Sequence, residues 1–125
     1  MRPNGTMTPK ELKDRTKGFA VAIIRLCREL PSTVDGRTVG HQMIRSGTSV
    51  GANYRALCRA RSRAEWIAKL GVVEEEADET LFWLEVAVEA KLVSGTQAQA
   101  LLKEADELTA IFVSSLKSAK HQIDK

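Results

Sequence analysis

The segment from Gly36 to Ala64 reads GRTVGHQMIRSGTSVGANYRALCRARSRA, and its pattern decides how the rest of the chain is organised. It contains six arginines and no acidic residue. The next segment, Glu65 to Lys91, has the opposite bias, with eight acidic residues against two lysines. The net charge of the 125-residue chain is only +3. Such uneven charge indicates a localised basic patch rather than a uniformly basic surface.

Within the quoted segment, apolar and small residues recur at the spacing of a helix that buries one face. The residues on that face are Val39, Met43, Ser46, Val50, Asn53 or Tyr54, and Leu57. Gly40, Gly47 and Gly51 each cost about 1 kcal/mol relative to alanine inside a helix. A helix that keeps them is expected to have another backbone packed closely against it. A kinked or broken helix is the alternative.

Capping patterns place the other helices around this one. Thr8-Pro9-Lys10-Glu11 is a capping box with proline at the first helical position, so a first helix is expected from Pro9 to near Leu30. The second helix is expected to follow a connection from Pro31 to Gly36. A second box, Ser62 with Glu65, starts a third helix from Arg63 to about Leu92.

The third helix is expected to close at Ser94-Gly95, and Thr96 with Gln99 is expected to cap a fourth helix that frays from His121. No proline follows Pro31. Four long helices with short connections pack as an antiparallel, up-down four-helix bundle. We therefore predict an all-α chain in which residues 8–123 form one domain and residues 1–7 a flexible tail.

Cys27 and Cys58 lie in apolar, helical sequence and are expected to be buried free thiols rather than a disulfide or a metal pair. The N-terminal residues lack the pattern of a signal peptide, and no apolar run is long enough to span a membrane. A cytoplasmic protein without membrane contact is therefore expected.

Known catalytic patterns do not match this chain. Di-metal carboxylate bundles use Glu-x-x-His, but neither His41 nor His121 follows a glutamate at that spacing. Ser49 and Cys58 lack a nucleophile elbow and a spaced histidine partner. The glycines between residues 47 and 51 lack the lysine of a phosphate-binding loop. We expect no enzymatic activity, no metal site and no cofactor.

The arginine-rich segment divides into two groups, of which the first lies in the middle of the second helix. Arg45, Ser49 and Asn53 follow one another by one turn along one side of that helix. Polar groups at an interface need partners, and Glu76 and Glu79 of the third helix are the candidates, within one subunit or between two.

The second group of arginines lies at the end of the second helix and in the turn after it. The lysines that begin the first helix, together with Arg15, are expected at the same end of the bundle. Arginine binds phosphate oxygens without reading sequence, so this patch predicts salt-sensitive contact with RNA or DNA. A solvated surface or one that faces a protein partner is the alternative. The predicted nucleic-acid contacts are Arg55, Arg59, Arg61, Arg63, Lys10, Lys13 and Lys17.

From Phe19 to about Leu116, the chain resembles the bacterial four-helix-bundle proteins encoded within intervening sequences of large-subunit ribosomal RNA genes, a family related to the accessory protein of diversity-generating retroelements. Many relatives have Glu-Gly where this chain has Arg55-Ala56, and phenylalanine is common where it has Trp66. The segments that carry the resemblance are Gln42-x-x-Arg45-Ser46-x-x-Ser49-Val50-x-x-Asn53-Tyr54, Ala60-Arg61-Ser62 before Glu65-Trp66-Ile67, and Glu75-Glu76-Ala77-Asp78-Glu79-Thr80 before Trp83-Leu84.

The resemblance implies an up-down four-helix subunit that assembles into a ring, typically a homopentamer. It also implies a basic surface that contacts RNA or DNA and no enzymatic activity. A protein-interaction scaffold, such as an accessory subunit of a reverse transcriptase, is the alternative function.

Overall fold

The structure is a computed structural model that describes residues 7–124, with side chains described up to residue 121. These residues form four helices and no strand: α1 (Pro9–Cys27), α2 (Val34–Leu57), α3 (Arg63–Glu89) and α4 (Gly95–Asp124). Each helix packs against the next, and α1 makes a smaller contact with α4. The predicted all-α four-helix bundle is confirmed. Among the described residues, no helix is long and apolar enough to cross a membrane.

The predicted flexible tail falls mostly on residues 1–6, which lie outside the described residues. Met7 is described and is half-buried against the core. Its sulfur accepts a hydrogen bond from Arg15 Nη1 at 3.3 Å. At the other terminus, α4 remains helical to Asp124, past His121, where the sequence predicts fraying.

One continuous core lies between the four helices. Its largest fully buried side chains include Ile23, Met43, Leu70 and Phe112, one from each helix. The core also contains hydroxyl groups, and these are satisfied: those of Ser46 and Thr80 are hydrogen-bonded to each other at 2.9 Å across α2 and α3. Apolar burial and a small polar link therefore hold the same pair of helices together.

Helix α2 is continuous, so the alternative of a broken helix is wrong. Two of its glycines, Gly47 and Gly51, lie where α1 comes close. A Cβ atom at Gly47 would lie 2.9 Å from Cγ2 of Ile23, and one at Gly51 would lie 3.3 Å from the backbone carbonyl of Thr16. An added Cβ would therefore clash at position 47 and be tightly packed at position 51, so both glycines favour the close contact between α1 and α2.

The connection between α1 and α2 lies three residues earlier than predicted, at residues 28–33 instead of 31–36. Helix α1 ends at Cys27 rather than near Leu30, because Pro31 disfavours helical geometry at Leu30 and the last residues form a tighter turn. Helix α2 begins at Val34, since Thr33 is its N-cap and accepts a hydrogen bond from the Gly36 amide at 3.2 Å.

The junction of α3 and α4 also differs from the prediction. Helix α3 ends at Glu89 because Lys91 adopts a positive φ of 61°, and the Leu92 amide then donates to the Ala87 carbonyl at 2.8 Å. This is the Schellman arrangement, here with lysine where glycine is usual. The predicted cap of Thr96 with Gln99 is wrong, because α4 already begins at Gly95.

Helix α4 is capped two residues earlier than predicted, by Ser94 and Gln97. The Ser94 hydroxyl accepts from the Gln97 amide at 3.0 Å, and the Gln97 side chain accepts from the Ser94 amide at 2.8 Å. These reciprocal hydrogen bonds form the capping box. Gly95 is thus the first residue of α4 and does not close α3.

Cys27 and Cys58 are free thiols, half-buried rather than fully buried. Cys27 ends α1 and Cys58 caps α2, so each lies at an end of the bundle, where packing is less complete. Burial raises the pKa of Cys27 to about 11, which keeps this thiol protonated near neutral pH.

Substitution of two helix glycines by alanine is expected to have opposite effects on stability. At Gly71, where no atom lies within 4 Å of an added Cβ, alanine should raise the free energy of unfolding by about 1 kcal/mol through helix propensity. At Gly47, the clash with the β-branched Ile23 should outweigh that gain, so alanine should lower the free energy of unfolding by about 1 kcal/mol. Urea denaturation of the two variants measures both values, and stabilisation by Gly47→Ala would contradict the close packing.

Candidate nucleic-acid interface

Because successive helices are antiparallel, the start of α1, the end of α2 and the start of α3 lie at the same end of the bundle. We call this region the basic end. It is defined by the seven residues predicted to contact nucleic acid, all of which have exposed side chains. Its members are Arg55, Arg59, Arg61, Arg63, Lys10, Lys13 and Lys17.

Three of these residues converge on one groove between α1 and α2. Lys13 and Lys17 line it from α1, and Arg55 lines it from α2. Ala20, Thr48, Gly51 and Ala52 are the other lining residues. Because these other residues are small, the cationic side chains stand above a shallow floor. We call this the cationic groove.

The cations of the cationic groove are not held in direct contact with acids, although Lys17 adds a small contribution, after the larger one of Lys10, to the lowered pKa of Asp14. Within the described part of the chain, Lys13, Lys17 and Arg55 make no ion pair. Lys13 and Lys17 are one helical turn apart, so their side chains lie next to each other. The groove therefore offers three exposed positive charges to an anion.

The remaining members of the basic end surround this groove with different local contacts. Lys10 forms an ion pair with Asp14 at 2.8 Å on the open surface, and this hydrogen bond raises the pKa of Lys10. The guanidinium of Arg63 lies over the Trp66 ring, 5.3 Å from its centre. Arg61 is held through its backbone, whose amide donates to Glu65 at 3.1 Å.

Arg15 is at the same end of α1 but does not belong to this exposed set. Its Nε and Nη2 atoms donate to the two carboxylate oxygens of Glu104 at 2.7 and 2.6 Å, and Nη2 also lies 3.2 Å from Glu107. The hydrogen bonds to Glu104 are the main reason that the pKa of Arg15 is raised. This side chain links α1 to α4 and is not available to a polyanion.

Arg45 makes its contacts across the boundary between α2 and α3, within one chain. Its Nη1 lies 3.5 Å from Glu76 Oε1, its Nη2 is hydrogen-bonded to Glu79, and its Nε donates to Gln42 at 3.1 Å. Glu79 also accepts a hydrogen bond from Trp83 Nε1 at 3.1 Å. We call these five residues the polar seam.

Ser49 and Asn53 do not join the polar seam, although the sequence groups them with Arg45. The Ser49 hydroxyl donates to the Arg45 carbonyl at 2.7 Å, and the Asn53 amide group donates to the Ser49 carbonyl at 2.9 Å. Short polar side chains in a helix can satisfy themselves on the preceding turn in this way. Arg45 alone of the three pairs with Glu76 and Glu79.

A family model for the 23S rRNA-intervening sequence protein matches residues 10–114. The chain belongs to this family. The match covers the basic end, the cationic groove and the polar seam, and it confirms the family resemblance given by the sequence motifs. No curated protein matches the chain.

A solved structure supports membership in the 23S rRNA-intervening sequence protein family. It is a Bacteroides thetaiotaomicron protein of unknown function from the S23 ribosomal protein family, and its sequence is 33% identical to this chain. The TM-score is 0.80, and the alignment covers 89% of this chain and 99% of that one. The two proteins therefore share the fold over nearly the whole of the solved chain.

Two features of this region were not predicted from the sequence. The ion pair between Arg15 and Glu104 joins residues that are far apart in the chain, and the sequence signals it only weakly, through Glu104 and Glu107 at helical spacing. The convergence of Lys13, Lys17 and Arg55 depends on how closely α1 and α2 approach.

Among the described residues, no group of three or more His, Cys, Asp or Glu side chains is arranged to hold a metal ion.

The pairing of Arg45 with Glu79 is expected to contribute measurably to stability. In a double-mutant cycle with Arg45→Gln and Glu79→Gln, we expect a coupling of about 0.5 to 1 kcal/mol, which is modest because both side chains are partly exposed. Urea denaturation at low and high salt measures it. The more exposed pair of Lys10 and Asp14 is the control and should show weaker coupling. Equal coupling in the two pairs would contradict a special role for the polar seam.

Proposed function

We propose that this protein is a non-enzymatic, cytoplasmic nucleic-acid-binding protein that contacts phosphates through its basic end. RNA is the first ligand to test, because the family description refers to an intervening sequence of 23S rRNA. The proposal does not require sequence recognition, since contacts to phosphates position a nucleic acid without reading its bases. Free thiols at Cys27 and Cys58 are compatible with a reducing compartment.

The cationic groove is the observation that carries this proposal. It joins three unpaired cations from two helices above a floor of small side chains. A phosphodiester backbone can approach such a floor closely, and each cation that contacts a phosphate releases a bound counterion from the nucleic acid. By contrast, Arg45 and Arg15 are already paired with carboxylates inside the chain. Arginine is thus available to a ligand at Arg55, whereas Arg45 and Arg15 are occupied by carboxylates of the same chain.

Removal of the three groove cations is expected to weaken binding in a salt-dependent way. In the triple variant Lys13→Gln, Lys17→Gln, Arg55→Gln, the slope of log affinity against log salt should fall in magnitude by roughly 2 to 3, because each phosphate contact contributes about 0.7 to 0.9. Fluorescence anisotropy with a labelled RNA hairpin, a single-stranded RNA and a DNA duplex at several salt concentrations measures this slope.

Two controls separate a local groove from general electrostatic attraction. The triple variant Arg25→Gln, Lys91→Gln, Lys103→Gln removes the same charge from exposed positions towards the other end of the bundle, and it should change the slope much less. Arg45→Gln should leave binding almost unchanged. If wild-type protein binds none of the nucleic acids at micromolar concentration, the proposed function is wrong. If both triple variants lose affinity equally, the groove is not the contact.

We further propose that the protein is an oligomer, as the family resemblance implies for a ring such as a homopentamer. The feature that supports this is an exposed apolar side chain on α3, Phe82, which is 52% accessible. It borders a surface groove with Val86, Glu85 and Glu89. A second copy that presents a basic surface there would make a heterologous contact, and such contacts form a ring when the rotation between copies closes.

Replacement of Phe82 by glutamate is expected to dissociate the oligomer. It removes the apolar contact and puts in its place a carboxylate whose burial at the interface costs free energy. Light scattering should give a multiple of 13.8 kDa for the wild type and a smaller mass for the variant. Val72→Glu on the same helix also replaces an exposed apolar residue and serves as a control. A wild-type monomer would contradict the proposal.

A protein partner is the second candidate function, and it would occupy the Phe82 surface in place of a second copy of the chain. Affinity capture from cell extract, with and without nuclease, distinguishes the two functions. A partner that remains after nuclease treatment and is lost in Phe82→Glu would indicate a protein-interaction scaffold.

A further inference from the structure

A cavity opens at the basic end, between the ends of the four helices. It has a volume of about 450 Å³, which is within the range of about 300 to 1,000 Å³ typical of small-molecule sites. Its wall is largely apolar and aromatic, and every helix contributes to it. The main apolar lining residues are Leu12, Tyr54, Leu57, Trp66, Leu70 and Phe112. We call this the end cavity.

The wall of the end cavity is already ordered by the core. Leu57, Leu70 and Phe112 are almost completely buried, and the rings of Tyr54 and Phe112 pack at 5.9 Å in a tilted arrangement. A ligand would therefore meet a largely preformed apolar surface, and little conformational entropy would be lost on binding.

The charge of the end cavity is concentrated at one position. Lys13 is the only charged residue among its described lining residues, and its exposed side chain stands at the edge. Burial, with a smaller contribution from the adjacent Cys58, raises the pKa of Tyr54, so this hydroxyl is neutral at physiological pH. The described lining therefore contains no anion, and Ser115 adds one further hydroxyl.

We propose that the end cavity binds a small amphipathic anion, with an acyl or aryl body against the half-buried side chains of Met7 and Trp66 and a carboxylate or sulfonate on Lys13. An uncharged apolar molecule would leave the lysine unused, and a polar molecule would lose hydrogen bonds with water against Leu57 and Leu70. This site is separate from the cationic groove, although Lys13 borders both. The proposal therefore does not rest on nucleic-acid binding.

Calorimetric titration of the full chain with decanoate and with anilinonaphthalene sulfonate tests the site. Saturable binding of at least one of them, at one molecule per chain, is expected, and the two probes distinguish an acyl from an aryl body. Lys13→Gln should weaken binding of the anion roughly tenfold through loss of the charged contact. Decanol and phenylnaphthylamine, which lack the anionic group, should be insensitive to this substitution.

Two further variants locate the binding. Lys17→Gln removes an equivalent charge one turn along α1, but Lys17 lines only the cationic groove, so affinity for the anion should not change. Ser115→Leu adds side-chain volume to the cavity wall and should weaken both the charged and the neutral probes. Ser115 is suitable because its hydroxyl is bonded only to the preceding turn of α4, at 2.9 Å from the Ile111 carbonyl.

Absence of saturable binding of both anionic probes to the wild-type chain would overturn the proposal. Binding that is unchanged in both Lys13→Gln and Ser115→Leu would overturn it as well, because it would place the ligand elsewhere. Circular dichroism of each variant shows whether the bundle is intact, and a variant that fails this check is replaced by Lys13→Met or Ser115→Val.

Discussion

The close contact between α1 and α2 is the constraint on which the basic end depends. Gly51 allows the backbone of Thr16, and Gly47 the side chain of Ile23, to come closer than ordinary contact distance to where a Cβ would lie. Lys13 and Lys17 flank Thr16 along α1, and Arg55 is one turn beyond Gly51 along α2. A larger residue in this contact would separate the helices and move these cations apart. Glycine lowers helix propensity at these positions, but it permits the close approach that both packs α1 against α2 and brings the cations together.

Where α2 faces α3, charge serves a different purpose. There Arg45 is held by Glu76 and Glu79, and Glu79 is shared with Trp83. Arg15 is similarly engaged by Glu104 and holds α1 to α4, the pair of helices with the smallest contact. Positive charges near acidic helices therefore serve the fold, whereas those in the cationic groove have no such partner. For a polyanion, this distribution matters more than the net charge of the chain.

The bundle and its buried faces could be predicted because helical periodicity is a local signal that burial enforces along each helix. The ends of the helices were harder. Ser94 with Gln97 and Thr96 with Gln99 both have the spacing of a capping box, and the choice depends on where α3 stops. That point is set by a positive φ at Lys91, and a lysine carries no signal for this conformation.

For the candidate site, its location could be predicted from the sequence, but the pairing of its charges could not. Antiparallel order was sufficient to bring the lysines of α1 and the arginines of α2 and α3 to one end of the bundle. Which of these cations stay unpaired was not predictable, because the partner of Arg15 lies on α4, far along the chain. The end cavity was also missed, since it is formed by side chains from all four helices and no single segment contains its pattern.

Lys13 connects the two proposed sites, since it borders both the cationic groove and the end cavity. One ammonium group cannot fully neutralise a phosphate and a carboxylate at the same time. If both proposals hold, an anion in the end cavity removes one of the three groove cations from the nucleic acid and adds a negative charge beside the other two. Bound nucleic acid must lower the affinity for the small anion by the same factor, because the coupling between two equilibrium binding sites is reciprocal. The position of one lysine would then make nucleic-acid binding sensitive to a small molecule without any change in the fold.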